Sequence, residues 1–421
     1  MRVRRGLAGW SAGVVYAVSA AACCAVAART TAHFDDLQVY RMCGVAVLHD
    51  GSRLYQLRLG GVLPFTYPPF AAMVFTGLAV VPWRVAVTVL TGASVVALPA
   101  ALYLVLRLPG PSRMPTRGQA WTVALAVAAA AIWLEPARAT LGYGQVDILL
   151  AAAVLYDLSL PDTARYKGLM IGLAAGLKLT PAIFAVYLLI TGRRRAAATA
   201  AAVFAGTVAA GFAVLPGSSA WFWAGRFANP GHVSPVQDPQ NESLAGALAR
   251  AMHTAHILPV WLPLAVAVAA AGLWLAAAAS RRGDEALGFC LCAVTGLLVS
   301  PISWIHHWVI AIPPLLVAGL AAGRAYRAGN VATAVLITAA ITAVAVIGWI
   351  KLAGDTPRSG WLALPAWVLV RSVCYVPIGL AVLLAGAWSQ ARSAVSDAAP
   401  GTVGQRRTAL PSPHSHPKLG A

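Results

Sequence analysis

Two adjacent carboxylates stand out in a chain that has 13 acidic residues among 421. Asp35 and Asp36 follow the first apolar run, in His33-Phe34-Asp35-Asp36-Leu37-Gln38-Val39-Tyr40. A carboxylate partly desolvated at a membrane surface has its pKa raised toward the range of a general base. The plainer role for the pair is to cap a helix start. Lys178, in Gly176-Leu177-Lys178-Leu179-Thr180-Pro181, lies near the middle of its apolar run. An ammonium at that depth costs roughly 2.5–3.5 kcal/mol to insert and calls for a partner or a cavity. It would suit an anionic group such as phosphate. Pro181 breaks the helix locally and frees a carbonyl.

Four further segments carry polar groups. Tyr67-Pro68-Pro69 opens an apolar run, where prolines fix a helix entry and a tyrosine sits at interfacial level. Gly142-Tyr143-Gly144-Gln145-Val146-Asp147 precedes another run. Asn241-Glu242-Ser243 offers amide and carboxylate groups suited to polyol hydroxyls, against a plain role as a loop-to-helix cap. Ser300-Pro301 through Trp304-His306-His307 lies at a membrane boundary. Helical neighbours point about 100° apart, so His306 and His307 are not expected to share one small site. One is expected to face an anionic or hydroxyl-bearing ligand and the other to pack; no metal is expected.

The elements that must position these groups follow from composition. Apolar residues make up 59% of the chain and charged residues 10%, about half the charged share of a soluble protein. This excludes a soluble enzyme, a nucleic-acid-binding domain and a disordered protein. The excess of 31 basic over 13 acidic residues, +18, gathers in clusters such as Arg193-Arg194-Arg195 and Arg281-Arg282, as expected of cytoplasmic loops. The six cysteines have no CxxC spacing and read as small hydrophobes.

At about 20 residues per span, the apolar runs predict an all-α polytopic membrane protein of about twelve helices (ten to thirteen), both termini inside. The first run reads as an uncleaved span. Runs near 67–82 and 168–190 count as spans, and the 107–119 loop falls outside. The polar segments 29–66 and 216–257 and the links 300–306 and 351–362 share the outer face. Residues 1–388 form one domain; 389–421 read as a disordered cytoplasmic tail.

Together Asp36-Leu37-Gln38-Val39-Tyr40, Tyr67-Pro68-Pro69, Gly144-Gln145, Lys178 with Pro181, Asn241-Glu242-Ser243-Leu244 and Ser300-Pro301 through His306-His307 resemble the actinobacterial membrane glycosyltransferases of family 87. The resemblance spans about Arg29 to Trp308. It implies the GT-C fold, a bundle with an extracytoplasmic active site in the plasma membrane. It also implies transfer of mannose from polyprenyl-phosphate-mannose to a mannosylated lipid or glycan, giving an α-(1→2) link with inversion. The family's base is the Asp of the first outer loop, which Asp36 matches best, with Asp35 second. His306 or His307 would steady the phosphate or orient the acceptor, with Lys178 and Arg41 as further sources of positive charge. Tyr67, Gln145, Asn241 and Glu242 complete the expected substrate contacts. No cofactor beyond the lipid-linked donor is implied.

The rival reading is a transporter or lipid flippase that uses the Asp, Lys and His residues as a proton relay. Against it, the polar candidates gather in outer loops, whereas transporters place their site near the midplane.

Overall fold

The computed structural model describes residues 2–30, 33–110, 115–228, 234–350 and 373–398. Among them the backbone is almost wholly helical. Lipid offers no partner to a free amide, so apolar runs must close their hydrogen bonds internally. α1 (Arg2–Thr30) leads to α2 (Asp35–His49) and a small hairpin of β1 (Arg58–Leu59) and β2 (Leu63–Pro64), with Leu59 opposite Leu63. α3 (Pro69–Ala79), α4 (Trp83–Arg107), α5 (Arg117–Ala131), α6 (Glu135–Tyr143) and α7 (Asp147–Ser159) follow. Next come α8 (Leu169–Leu177), α9 (Ile183–Ile190), α10 (Arg194–Val214), α11 (Pro216–Trp223) and α12 (Leu244–Ala251). α13 (Leu258–Arg281), α14 (Glu285–Val299), α15 (Ile312–Arg327), α16 (Val331–Ile350) and α17 (Tyr375–Ala398) complete the described chain.

Among the described residues, five stretches are long and apolar enough to cross a membrane: those in α1, α4, α10 and α13, and Ile305–Arg327, which ends in α15. α5 and α6 together make a sixth candidate, bent by 79°. The protein is an all-α membrane protein, and its described residues hold at most six such spans. The 67–82 run yields only α3, whose 11 residues span about 16 Å.

The 168–190 run does not form a straight span either. α8 stops at Lys178, a 3-10 turn covers Thr180–Ala182, and α9 resumes at Ile183. Pro181, which has no N–H to donate, sits in that turn. Both ends of the run lie at one end of the bundle. Asp157 accepts from the Gly168 N–H (2.6 Å). Asp162 pairs with Lys167 at 2.8 Å and lies 4.0 Å from Arg193.

The start of the 107–119 loop, as far as Pro109, likewise lies away from its expected face. The Pro109 carbonyl accepts from the Glu285 N–H at 2.9 Å, and the Glu285 side chain pairs with Arg193 at 2.6 Å. The end of α4 therefore lies with the Arg193 and Arg281 clusters, where the positive-inside rule would put Arg107.

Ser389 through Ala398 also depart from expectation, because α17 continues through them. Gln390 donates to the Leu275 carbonyl (3.0 Å) and its own carbonyl accepts from Arg282 (2.8 Å). Residues 399–421 and the 351–362 link lie outside the described residues.

Close packing comes from small side chains, as in membrane bundles generally. α5 turns Ala120, Ala124 and Ala128, all fully buried, toward the core, and it packs on α1. Gly168, Gly172 and Gly176 form a stripe along α8 against α10. A Cβ on these would meet the Ala196 carbonyl, the Ala200 carbonyl and the Thr207 hydroxyl in turn. This contact fixes the height at which α8 delivers Lys178.

Candidate active site

α2 begins at Asp35, placing both carboxylates in its first turn, where free N–H groups favour negative charge. Phe34, in the left-handed region at φ 48°, donates its N–H to the Gly142 carbonyl at 3.2 Å. That bond ties the start of α2 to the end of α6. Gly144 caps α6 at φ 70°, and a Cβ there would lie 2.7 Å from the Leu37 Cβ. Only glycine permits both the backbone and the approach. Gly144→Ala is expected to cost about 1–3 kcal/mol and to move Gln145 away from α2. A lower thermal midpoint together with lost transfer checks this.

Gln145 is the hub of the buried network. Its Oε1 accepts from the Tyr40 hydroxyl at 2.7 Å and from the Tyr67 hydroxyl at 2.8 Å. The two hydroxyl oxygens are themselves 2.8 Å apart. The amide also hydrogen-bonds the half-buried Asp36 carboxyl. Burial pushes the Asp36 carboxyl up to about 6, against the Gln145 hydrogen bond and the Lys178 ammonium, which pull it down. Asp147 and Asp35 push it further up. Asp35 shares the helix turn, but the contact with Gln145 belongs to Asp36.

Beside this network Lys178 donates to Asp147 Oδ1 at 2.6 Å, and both side chains are about nine-tenths buried. Ten residues of α7 separate Asp147 from Asp157, so the pair is recessed about 15 Å from the Asp157 level. The Lys178 Nζ also lies 5.4 Å from the centre of the Tyr67 ring. The other Asp147 oxygen faces His306 Nε2 at 3.9 Å, and neither atom has a hydrogen-bond partner among the described residues.

The expectation that His306 and His307 cannot share a site is corrected. Their rings meet edge to face with centroids 4.7 Å apart. With Asp147 they bring ligand-capable atoms within 4.8 Å of one another. Their segment, Ile305–Ala311, is a 3-10 helix, and ring rotation about the side-chain bonds overcomes the angle between adjacent Cα atoms. The Trp304 N–H donates to His307 Nδ1 at 3.3 Å. A nitrogen that accepts carries no proton, so the neutral ring holds its proton on Nε2.

Asp36, Tyr67, Gln145, Lys178, His306 and His307 are thus brought together. Three candidates are not. Arg41 donates to the carbonyls of Leu78 and Val81, the latter at 2.7 Å, and lies over Trp83. Asn241 donates to the carbonyls of Val236 (2.8 Å) and Pro301 (3.0 Å) and accepts from the Ser303 N–H (2.9 Å). Glu242, fully buried, has its backbone N–H on the Ser303 carbonyl (2.7 Å) and its carboxylate near the Tyr375 N–H. Asn241 and Glu242 therefore tie the outer loop to the segment that carries the histidines. Sequence reasoning had not singled out Asp147 or Tyr40 as site residues. The available signal was that a lysine deep in an apolar run demands an anion, and Asp147 is an acid at the head of a neighbouring run.

The sequence model of Glycosyltransferase family 87 matches residues 65–301. A polyprenol-phosphate-mannose-dependent alpha-(1-2)-phosphatidylinositol mannoside mannosyltransferase of Mycobacterium tuberculosis is 32% identical, over 83% of this chain and 83% of its own. A pentamannoside mannosyltransferase of the same series and species is 37% identical over 68% of this chain and 66% of its own. A Mycolicibacterium smegmatis relative named like the first is 35% identical over 69% of this chain and 70% of its own. No solved structure matches the chain significantly. With the family sequence matched across more than half its length and a relative 32% identical over 83% of it, the chain belongs to glycosyltransferase family 87.

Proposed function

We propose that this protein moves mannose from polyprenyl-phosphate-mannose to a hydroxyl of a phosphatidylinositol mannoside, forming an α-(1→2) link. The observation that carries this reading is a carboxylate raised toward neutrality, Asp36, next to a recessed cluster of Lys178, His306 and His307. Relatives that use this donor and acceptor by name support it. Asp36 takes the proton from the acceptor hydroxyl as its oxygen attacks the anomeric carbon. The bond from that carbon to the phosphate oxygen breaks on the opposite face, so a β-linked donor gives an α-linked product. The departing phosphate gains charge, which Lys178 and the His307 Nε2–H stabilise. A substrate hydroxyl lodged between Asp147 and His306 would donate to the first and accept from the second.

The same donor set favours an anion over a metal ion. A cation held by Asp147, His306 and His307 would face the Lys178 ammonium, and His307 Nδ1 is already taken by the Trp304 N–H. No cofactor beyond the donor is required. In this reading the bundle follows the GT-C plan in the plasma membrane. The site opens to the extracytoplasmic face, opposite the Arg193 and Arg281 clusters. The short 67–82 run and the returning 168–190 run bring the crossings nearer ten than twelve.

The test is label transfer from polyprenyl-phosphate-mannose to phosphatidylinositol mannoside, followed against pH. A base must be ionised to act, so the rate is expected to plateau at high pH. It should be half-maximal near the Asp36 pKa of about 6 and fall about tenfold per unit below it. A rate that does not change from roughly pH 5 to 8 would remove Asp36 from the role.

A further inference from the structure

We propose that Gln145 is a positioning residue for the base, an amide locked by Tyr40 and Tyr67 so that its N–H end faces the Asp36 carboxylate. This rests on the assignment of Asp36 as base and adds what holds it. The sequence pointed to Tyr67 and Gln145 as substrate contacts; the structure ties their side chains to each other and to Tyr40. Tyr40 is 0% exposed, Gln145 3% and Tyr67 7%, whereas Asp36 is half-buried.

The orientation of the amide follows from counting donors. Two tyrosine hydroxyls converge on one Gln145 oxygen, at 2.7 and 2.8 Å, and an amide oxygen has two lone pairs to receive them. Turning the amide over would leave at least one of those hydroxyls without an acceptor, since they then have only each other at 2.8 Å, and would set a carbonyl oxygen against the Asp36 carboxylate. Both changes cost free energy in a buried site. The backbone is fixed as well: the Gln145 N–H donates to the Thr140 carbonyl at 2.8 Å, and Gly144 lets the segment approach Leu37. Tyr40 lies one helical turn after Asp36, so the base and one arm of the clamp share a face of α2.

Other groups face Asp36, and none duplicates this contact. Asp35 is on its own helix, Tyr143 on α6, Tyr67 just before α3, Asp147 on α7 and Lys178 just after α8. His306 and His307 stand beyond Lys178. Lys178 donates to Asp147 at 2.6 Å and acts on Asp36 through its charge, whereas the Gln145 amide is the neutral hydrogen-bonding group at the Asp36 carboxyl.

The experiment compares kcat–pH profiles of the purified full-length protein and its variants, with polyprenyl-phosphate-mannose and phosphatidylinositol mannoside as substrates. Gln145→Glu keeps the volume and the acceptor for both tyrosines, but sets an oxygen where the N–H donor was. The acid limb is expected to move up by about one pH unit, with KM for both substrates within about twofold. Tyr40→Phe should move it the same way by a smaller amount, and serves if Gln145→Glu does not fold. A raised KM with an unmoved limb would make Gln145 a substrate contact and overturn the proposal. So would a uniform loss of rate at every pH. Asp36→Asn, run alongside, separates the two assignments. If it transfers with the wild-type profile, the base assignment fails; if it is inactive while the Gln145 and Tyr40 variants keep the wild-type limb, positioning alone fails.

Discussion

Asp36→Asn should lower kcat by about a thousandfold, within the span expected for loss of a general base. The substitution is nearly isosteric, and the asparagine oxygen can still accept from the Gln145 amide. Fold and donor binding should therefore survive, with KM for the lipid-linked sugar within about twofold of wild type. What disappears is a group able to take the acceptor proton. Asp35→Asn should retain transfer to within about threefold, because the adjacent residue points about 100° away on the helix and the Gln145 contact belongs to Asp36. The opposite ranking of the two variants would reassign the base to Asp35.

Lys178→Met should affect both stability and catalysis. The ammonium is 2.6 Å from Asp147, with both side chains about nine-tenths buried. Removing one partner leaves a buried charge uncompensated, at a cost of about 3 kcal/mol or more. A fall of several degrees in the thermal midpoint of the detergent-solubilised protein checks this. The double variant Lys178→Met with Asp147→Asn removes the orphaned charge, so much of the lost stability should return. Transfer should not return with it: the leaving phosphate would still lack its cation, at about a hundredfold or more in kcat. A double variant that regains both stability and transfer would confine Lys178 to a structural role.

Much of this site was legible because a membrane chain carries so few polar groups. Asp36, Gln145, Lys178 and the two histidines stand out against apolar surroundings, and the structure brings them together. Asp147 did not stand out, because its partner is 31 positions away and a carboxylate at the head of a run looks like a helix start. Asn241 and Glu242 were expected at the substrate for the amide and carboxylate they offer. The same groups bond backbone equally well, and only tertiary structure decides which they do. The histidine pair misled because the angle between adjacent residues does not fix where two rings go once their side-chain bonds rotate.

The fold divides in the same way. Composition alone establishes an all-α membrane protein. Hydropathy registers that a run is apolar, not whether it crosses or turns back, so 67–82 and 168–190 were counted as spans. The return of the second became visible only when Asp157, Asp162 and Arg193 were seen to gather around its ends. The misplaced start of the 107–119 loop follows from the same parity error. Likewise, the Ala- and Ser-rich stretch after Ser389 reads as tail until Gln390 is seen docked on Leu275.

The most direct test of the central claim is a transfer reaction with the purified protein in nanodiscs, radiolabelled polyprenyl-phosphate-mannose and phosphatidylinositol mannoside, with the linkage of the product read by NMR. The expected product carries one added mannose in α-(1→2) linkage, formed without added metal. Authentic donor left untransferred by folded protein, or moved intact across the bilayer, would contradict the account.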